Sequence, residues 1–250
     1  MSLALPQVDE CESASAARFR TAYFDTGTPV VLRGLIRGWP ACATWSPDTL
    51  ARRFSTQPVE VMVCDPDGRP TGESPYLERR RLPFAEAVAL MKEEAGRCLN
   101  LVAQNQVFAD PAFEELRADL AFDPDWFDAS ATLTCVSLWV SPRHAMTPLH
   151  YDLENNLLAQ VFGCKRVILA SPADTENLYK GAAGYSTADP ELPVRDEYPR
   201  LADVRLHEVV LEPGDALFLP HDWWHHVRSL EASISLSLRN FAWLSPPSPV

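Results

Sequence analysis

The chain has 250 residues, 46% of them hydrophobic, which is enough for one sizeable core, and a single domain over 1–250 is expected. Its formal net charge of −12 disfavours broad electrostatic binding to a phosphate backbone, so nucleic acid is an unlikely partner. No apolar run reaches membrane-spanning length, the start MSLALPQVDECE has no basic stretch ahead of an apolar one, and the six cysteines form neither a CxxC pair nor a Cys/His zinc spacing; a cytoplasmic protein with reduced thiols and no membrane partner is expected.

In chain order, Ala14 to Tyr23 reads as a short helix and the PVVLRG run from Pro29 as a strand. Ser46 before Pro47 is a helix start, because serine caps free N–H groups and proline suits the first turn; that helix runs to Phe54. Val59 to Val63 alternates like a strand. Arg79, Arg80 and Arg81 form the one dense basic run and read as a solvated loop. Phe84, Ala87, Val88 and Met91 recur at helical spacing within Pro83 to Lys92. Leu99 to Ala103 reads as a strand and Ala112 to Leu120 as a helix. Residues 1–130 are thus a mixed α/β elaboration.

The second half is denser in strands. Ala131 to Val140 is β-rich, and Thr147 to Tyr151 is a short strand between Pro-marked turns. Asn156 to Phe162 and Lys165 to Ala170 flank Gly163-Cys164, a hairpin signal; Val209 to Leu211 and Ala216 to Leu219 flank Pro213-Gly214-Asp215 in the same pattern. Trp224 to Arg228 follows. In Ser233 to Asn240, Ile234, Leu236 and Leu238 alternate with Ser233, Ser235 and Ser237. Many short, evenly spaced strands predict a mainly β jelly-roll barrel, a double-stranded β-helix over 131–243, with helices mostly from the N-terminal half around it.

The chemistry starts at His150-Tyr151-Asp152. Residues i and i+2 of a strand share a face, so an imidazole nitrogen and a carboxylate oxygen aim into one barrel mouth. A second histidine would complete a two-His, one-carboxylate facial triad. On a non-haem Fe(II) that leaves three open positions, two for a bidentate 2-oxo acid and one for O2. His225, in WWHHV, is the candidate. The triad spacing alone says only that a metal is possible.

The stretches TPLHYDLENNLLAQVFGCKRVIL, PGDALFLPHDWWHHVRSL and SLSLRNF resemble the cupin-like JmjC oxygenases, most nearly the group that contains the asparaginyl hydroxylase acting on hypoxia-inducible factor; PVVLRGLIRGWPACATWSPDTLARRF is similar to that group's entry segment. The resemblance spans roughly Pro29 to Trp243. It implies a JmjC-type fold and an Fe(II)- and 2-oxoglutarate-dependent hydroxylase that consumes O2. It implies His150, Asp152 and His225 as iron ligands and Lys165 as the cation facing the distal carboxylate of 2-oxoglutarate. Thr147 is implied as a hydroxyl donor to that carboxylate, and Asn156 and Asn240 as polar side chains lining the site. The physics agrees, since a buried carboxylate needs a cation and hydrogen bonds.

A protein or peptide is the implied substrate. A tRNA base or small molecule, a metal-binding cupin that oxidises nothing, and an isomerase on the same barrel are the alternatives. The sequence departs from the family in two places. Leu99 to Gln104 lacks the tyrosine that reaches the co-substrate, which leaves Gln104 or Gln106 to line the pocket. The sequence stops at Val250 without the C-terminal helices that dimerise the asparaginyl hydroxylase, which leaves that mode of dimerisation and the oligomeric state open. Elsewhere the plain readings hold: His226 in a structural hydrogen bond, His144, His207 and His221 at the surface or in loops, Trp223 and Trp224 packing, Cys135 and Cys164 as small buried hydrophobes.

Overall fold

The structure is a computed structural model that describes residues 8–12, 14–63, 79–93, 99–101, 105, 107–181, 184–192 and 196–244; Gln104 and Gln106 lie outside them. Thirteen strands are described: β1 (Asp9–Glu12), β2 (Val30–Arg33), β3 (Pro58–Val63), β4 (Arg79–Pro83), β5 (Leu99–Asn100), β6 (Val136–Ser141), β7 (Met146–Tyr151), β8 (Asn156–Phe162), β9 (Lys165–Ala170), β10 (His207–Leu211), β11 (Ala216–Leu219), β12 (Trp224–Ser229) and β13 (Ser233–Leu238). Six of them form a large sheet in the order β1-β2-β11-β8-β13-β6. Four form a smaller sheet, β10-β9-β12-β7, and three a separate sheet, β4-β3-β5. The two larger sheets face each other as a jelly roll.

Between these sheets lie two kinds of filling. One end is apolar: Val31, Leu158, Leu217 and Leu219 of the large sheet meet Val167, Leu169, Val209 and Leu211 of the small one. The alternation of β13 is turned the other way from a usual core strand. Ile234, Leu236 and Leu238 face outward, under a layer from the N-terminal half that contains Phe19, Trp39, Trp45 and Phe113. Ser233, Ser235 and Ser237 face the barrel interior, fully buried or nearly so. The inside of the barrel at this end is therefore polar.

Local signals explain several elements. Ser46 caps the helix Pro47–Arg53 in a reciprocal box with Thr49. The helix Phe84–Met91 buries Phe84, Ala87 and Val88 on one face. Five expectations need correction. Gly163-Cys164 and Pro213-Gly214-Asp215 do not close hairpins: β8 pairs with β11 and β13, β9 with β10 and β12, and β10 and β11 lie in different sheets. Both turns are corners at which the chain crosses from one sheet to the other. Gly163 has φ +66, and a Cβ there would sit 2.2 Å from Ala232 O. Arg79–Arg81 belongs to an edge strand rather than a loop, with Arg79 paired to Glu60 at 2.8 Å. The run from Ala131 begins as helical turns to Cys135, capped by Asp128, before β6 starts. The segment from Ala112 is broken into a 3-10 turn and the short helix Glu115–Ala118. Cys135 and Cys164 are half-buried rather than buried. Among the described residues no helix is long and apolar enough to cross a membrane.

Candidate metal centre

His150 near the end of β7 and His225 on β12 are directly paired across the small sheet. Paired residues share a face, so both imidazoles point into the barrel, their ring centroids 4.1 Å apart. Asp152 follows β7, and its Oδ2 is 3.9 Å from His225 Nε2. One ligand-type atom from each of the three residues falls within 4.8 Å of the others. The tautomers are set by the backbone. His150 Nδ1–H donates to Pro148 O at 2.8 Å and His225 Nδ1–H to Trp223 O at 3.0 Å. Each Nε2 keeps its lone pair facing the third group. Burial pushes His150 down to about 3, with the neighbouring His225 acting in the same direction, so its ring is neutral and ready to ligate at neutral pH.

Asp152 is held through its main chain. Asp222 N–H donates to Asp152 O at 2.8 Å, and His221 N–H donates to Asn155 Oδ1 at 2.8 Å. The turn that starts β12 is thereby tied to the loop that carries the carboxylate, although Asp222 sits at φ +66.

Deeper in the barrel, Lys165 is 3% exposed and its Nζ donates to Ser235 Oγ at 2.6 Å. Among the described residues no carboxylate pairs with it, and burial pushes it down to about 7. Trp139, opposite Ser235 on β6, places its ring 5.7 Å from Lys165 Nζ, and its own Nε1 is buried without a partner among the described residues. Val167 and Leu169 continue the inward face of β9, as the alternation of that strand predicts. Asn156 is buried and accepts a hydrogen bond at Oδ1 from Ser237 at 2.8 Å.

Thr147 reaches the same interior through an irregularity. It pairs with Val227 while His150 pairs with His225, so β7 carries one residue more than β12 over this stretch. Without that bulge, residues three apart would face opposite sides. Asn240 stands apart from this group. Its Nδ2 donates to Asp128 O at 3.0 Å, its Oδ1 is buried without a partner among the described residues, and it lines a cleft of about 380 Å3 with Glu154, Asn155 and Arg239.

The other aromatics and histidines sort by packing. Trp224 is fully buried and donates to Thr175 Oγ1 at 2.9 Å; Trp223 donates to Gly27 O at 3.0 Å. His144 and His221 are exposed. His226 makes no hydrogen bond among the described residues, against the structural bond expected of it. Its Nε2 lies 3.8 Å from Glu191 Oε2, and Asp189 completes a second cluster. Both oxygens of Glu191 are already taken by Arg166 and Arg228, and two guanidinium charges oppose a dication there.

Trp139, Ser235 and Ser237 were not singled out from the sequence, yet they line the interior. The two serines are readable afterwards as the polar phase of β13. Tyr185, which stacks on His150, lies in a segment with no periodic signal at all.

A family profile described as "Cupin-like domain" matches residues 16–243. "Jumonji C domain-containing protein 5" of Drosophila melanogaster is 34% identical over 250 residues, covering 93% of this chain and 59% of that protein. "Lysine-specific demethylase 8" of Xenopus tropicalis is 31% identical over 232 residues, covering 89% and 50%. "tRNA wybutosine-synthesizing protein 5" of Danio rerio is 31% identical over 235 residues, covering 88% and 70%. The chain spans about half the length of the first two of these relatives. It belongs to the cupin-like domain family, among Jumonji C relatives.

Proposed function

We propose that this member of the cupin-like family is an Fe(II)- and 2-oxoglutarate-dependent oxygenase that uses O2 to hydroxylate a protein side chain. The observation that carries the reading is a two-His, one-carboxylate triad sharing a barrel interior with a buried lysine that lacks a carboxylate partner among the described residues.

The donor set fits the metal. Two imidazole nitrogens and one carboxylate oxygen suit a first-row divalent ion and leave coordination positions open. The surroundings of Lys165 fit the diacid. Its Nζ is bonded to Ser235 Oγ with donor capacity to spare, and the Trp139 Nε1–H beside it is a buried donor without an acceptor among the described residues. Lys165 pairs with Ser229 and Leu169 with His225, four residues along the same strands, or roughly 13 Å at about 3.3 Å per residue. The distal carboxylate would lie at the lysine end and the 2-oxo acid end at the histidines. The chemistry an Fe(II)–2-oxoglutarate pair brings is reduction of O2 coupled to decarboxylation of the diacid to succinate and insertion of one oxygen atom into a C–H bond.

The chain's own part is placement. His150 and His225 are locked in the right tautomer, Asp152 is carried on a tied loop, and Lys165 neutralises the far charge with Thr147 and Asn156 beside it. In this reading Asn240 lines the cleft beside the loop that carries Asp152, and residues 1–130 brace the 131–243 core as one domain. The sequence stretches similar to the asparaginyl hydroxylase group support a side-chain hydroxylation. A relative named for tRNA wybutosine synthesis gives the second reading, a tRNA base; the net charge of −12 weighs against it. A metal-binding barrel without oxidation has no use for a buried cation at the end of the pocket.

Anaerobic addition of Fe(II) and then 2-oxoglutarate to the purified chain should raise the visible charge-transfer band of an iron-bound 2-oxo acid. Admission of O2 with candidate peptides should give succinate. A chain that binds iron but develops no band, and makes no succinate with peptide or tRNA, would sink the oxygenase reading.

A further inference from the structure

Between β9 and β10 the chain makes its longest excursion outside the two facing sheets of the second half. Much of it covers the outer face of the small sheet, where Leu178, Ala188 and Leu201 pack with Leu149, Ala170 and Trp224. One short stretch goes further. Strand β7 is the last strand of its sheet, so its outer edge offers unpaired backbone groups. Tyr185 pairs with His150 across that edge as an isolated antiparallel bridge, and Ser186 N–H donates to Leu149 O at 2.7 Å. Residues opposed in this way present side chains to the same face. Tyr185 therefore points where His150 points, and its ring lies on the imidazole with centroids 5.1 Å apart and planes 15° from parallel.

We propose that Tyr185 is a positioning residue for His150, and that residues 184–192, between β9 and β10, form a strap that delivers it. The inference rests on the reading of His150 as a metal ligand. The Pro148 carbonyl already fixes one edge of the imidazole. The tyrosine ring covers one of its faces and limits rotation about the bond that joins ring to chain. A ligand held in its bound orientation has less freedom to lose when metal arrives. Stacking also removes water from that flank of the donor.

The strap is anchored on both sides of Tyr185. Ser186 Oγ–H donates to Leu178 O at 2.6 Å, and Thr187 N–H to Tyr179 O at 3.1 Å. Glu191 accepts from Arg228 Nε at 2.5 Å and from Arg166 at 3.0 Å; burial pushes its carboxyl up, and the contact with Arg228 and the neighbouring positive charges outweigh it and hold the group below the usual range. Gly184, at φ +80, makes the turn into Tyr185, and a Cβ there would touch the Tyr151 ring at 3.5 Å.

The test is titration of the metal-free chain with Co(II), read by a competing chelator and by the visible d–d spectrum, in wild type, Tyr185→Phe, Tyr185→Leu and Tyr185→Ala. Tyr185→Phe keeps the ring and should match wild type in affinity and spectrum. Tyr185→Leu and Tyr185→Ala should each weaken Co(II) binding by roughly 3- to 10-fold and shift the spectrum, as expected for loss of one aromatic stack beside a ligand. The leucine variant keeps more apolar bulk than alanine, so it reports even if Tyr185→Ala fails to fold. If Tyr185→Leu is less heat-stable but keeps wild-type affinity and spectrum, the ring acts only in packing and the positioning role is overturned. A wild-type chain that binds no Co(II) removes the ligand assignment of His150, and the role of Tyr185 falls with it.

Discussion

Lys165→Met separates what the buried lysine costs the fold from what it does for a ligand. Lys165 is 3% exposed, and burial lowers it from 10.5 to about 7. At pH 7.5 the unfolded chain keeps the proton and the folded chain has mostly given it up. Keeping this group inside therefore costs the folded state about 4 kcal/mol when no anion is bound. Methionine fills a similar volume with no charge. It also gives up the bond to Ser235, worth about 1 kcal/mol. The variant should thus be more stable by about 2–3 kcal/mol, a rise in Tm of roughly 5–10 °C for a chain of this size.

The pH dependence has a definite sign. Between about 7 and 10.5 the folded state binds one proton fewer than the unfolded state at this residue. Wild-type stability therefore gains up to about 1.4 kcal/mol per pH unit from this group across that window, and nothing from it below or above. Lys165→Met should lose that slope. With Mn(II) present, calorimetric titration should show 2-oxoglutarate binding to wild type and a loss of about 30-fold or more in the variant, since the partner of a buried charge has been removed. Urea unfolding from pH 6.5 to 10 supplies the stability arm. A variant no more stable than wild type at pH 7.5 without the diacid, or one that binds the diacid equally well, would refute the reasoning.

His150→Ala removes a donor whose neutral Nε2 faces Asp152 and His225, and Fe(II) or Co(II) affinity should fall by about 100-fold or more; unchanged affinity in a binding titration would show that the triad is not the metal site. Gly163→Ala puts a Cβ 2.2 Å from Ala232 O at φ +66 and should destabilise the chain by roughly 2–5 kcal/mol in chemical unfolding, through left-handed strain plus overpacking. A loss below about 1 kcal/mol would mean that the corner at β8–β9 can relax.

Elements in both halves are legible where their signals are local. The strand alternation of β13, the cap at Ser46 and the helical spacing around Phe84 each depend on neighbours within a few residues. His150 and Asp152 are legible for the same reason, as two positions of one strand face. His225 is a candidate on its own motif; family resemblance makes it an implied ligand and supplies the role of Lys165, both with partners far away in the chain. The sequence could not say which strands pair, because a Gly-led turn serves a hairpin and a sheet-to-sheet corner equally well; only the pairing of β8 with β11 and β13 decides for the corner. Nor could it orient the β13 alternation. Period two separates serines from leucines but does not say which set meets the barrel, and the N-terminal layer settles it by taking the leucines. Thr147 and Tyr185 were decided last of all. A one-residue bulge turns the first inward, and backbone pairing at a free sheet edge brings the second onto His150, both through hydrogen bonds between segments that carry no mark of each other.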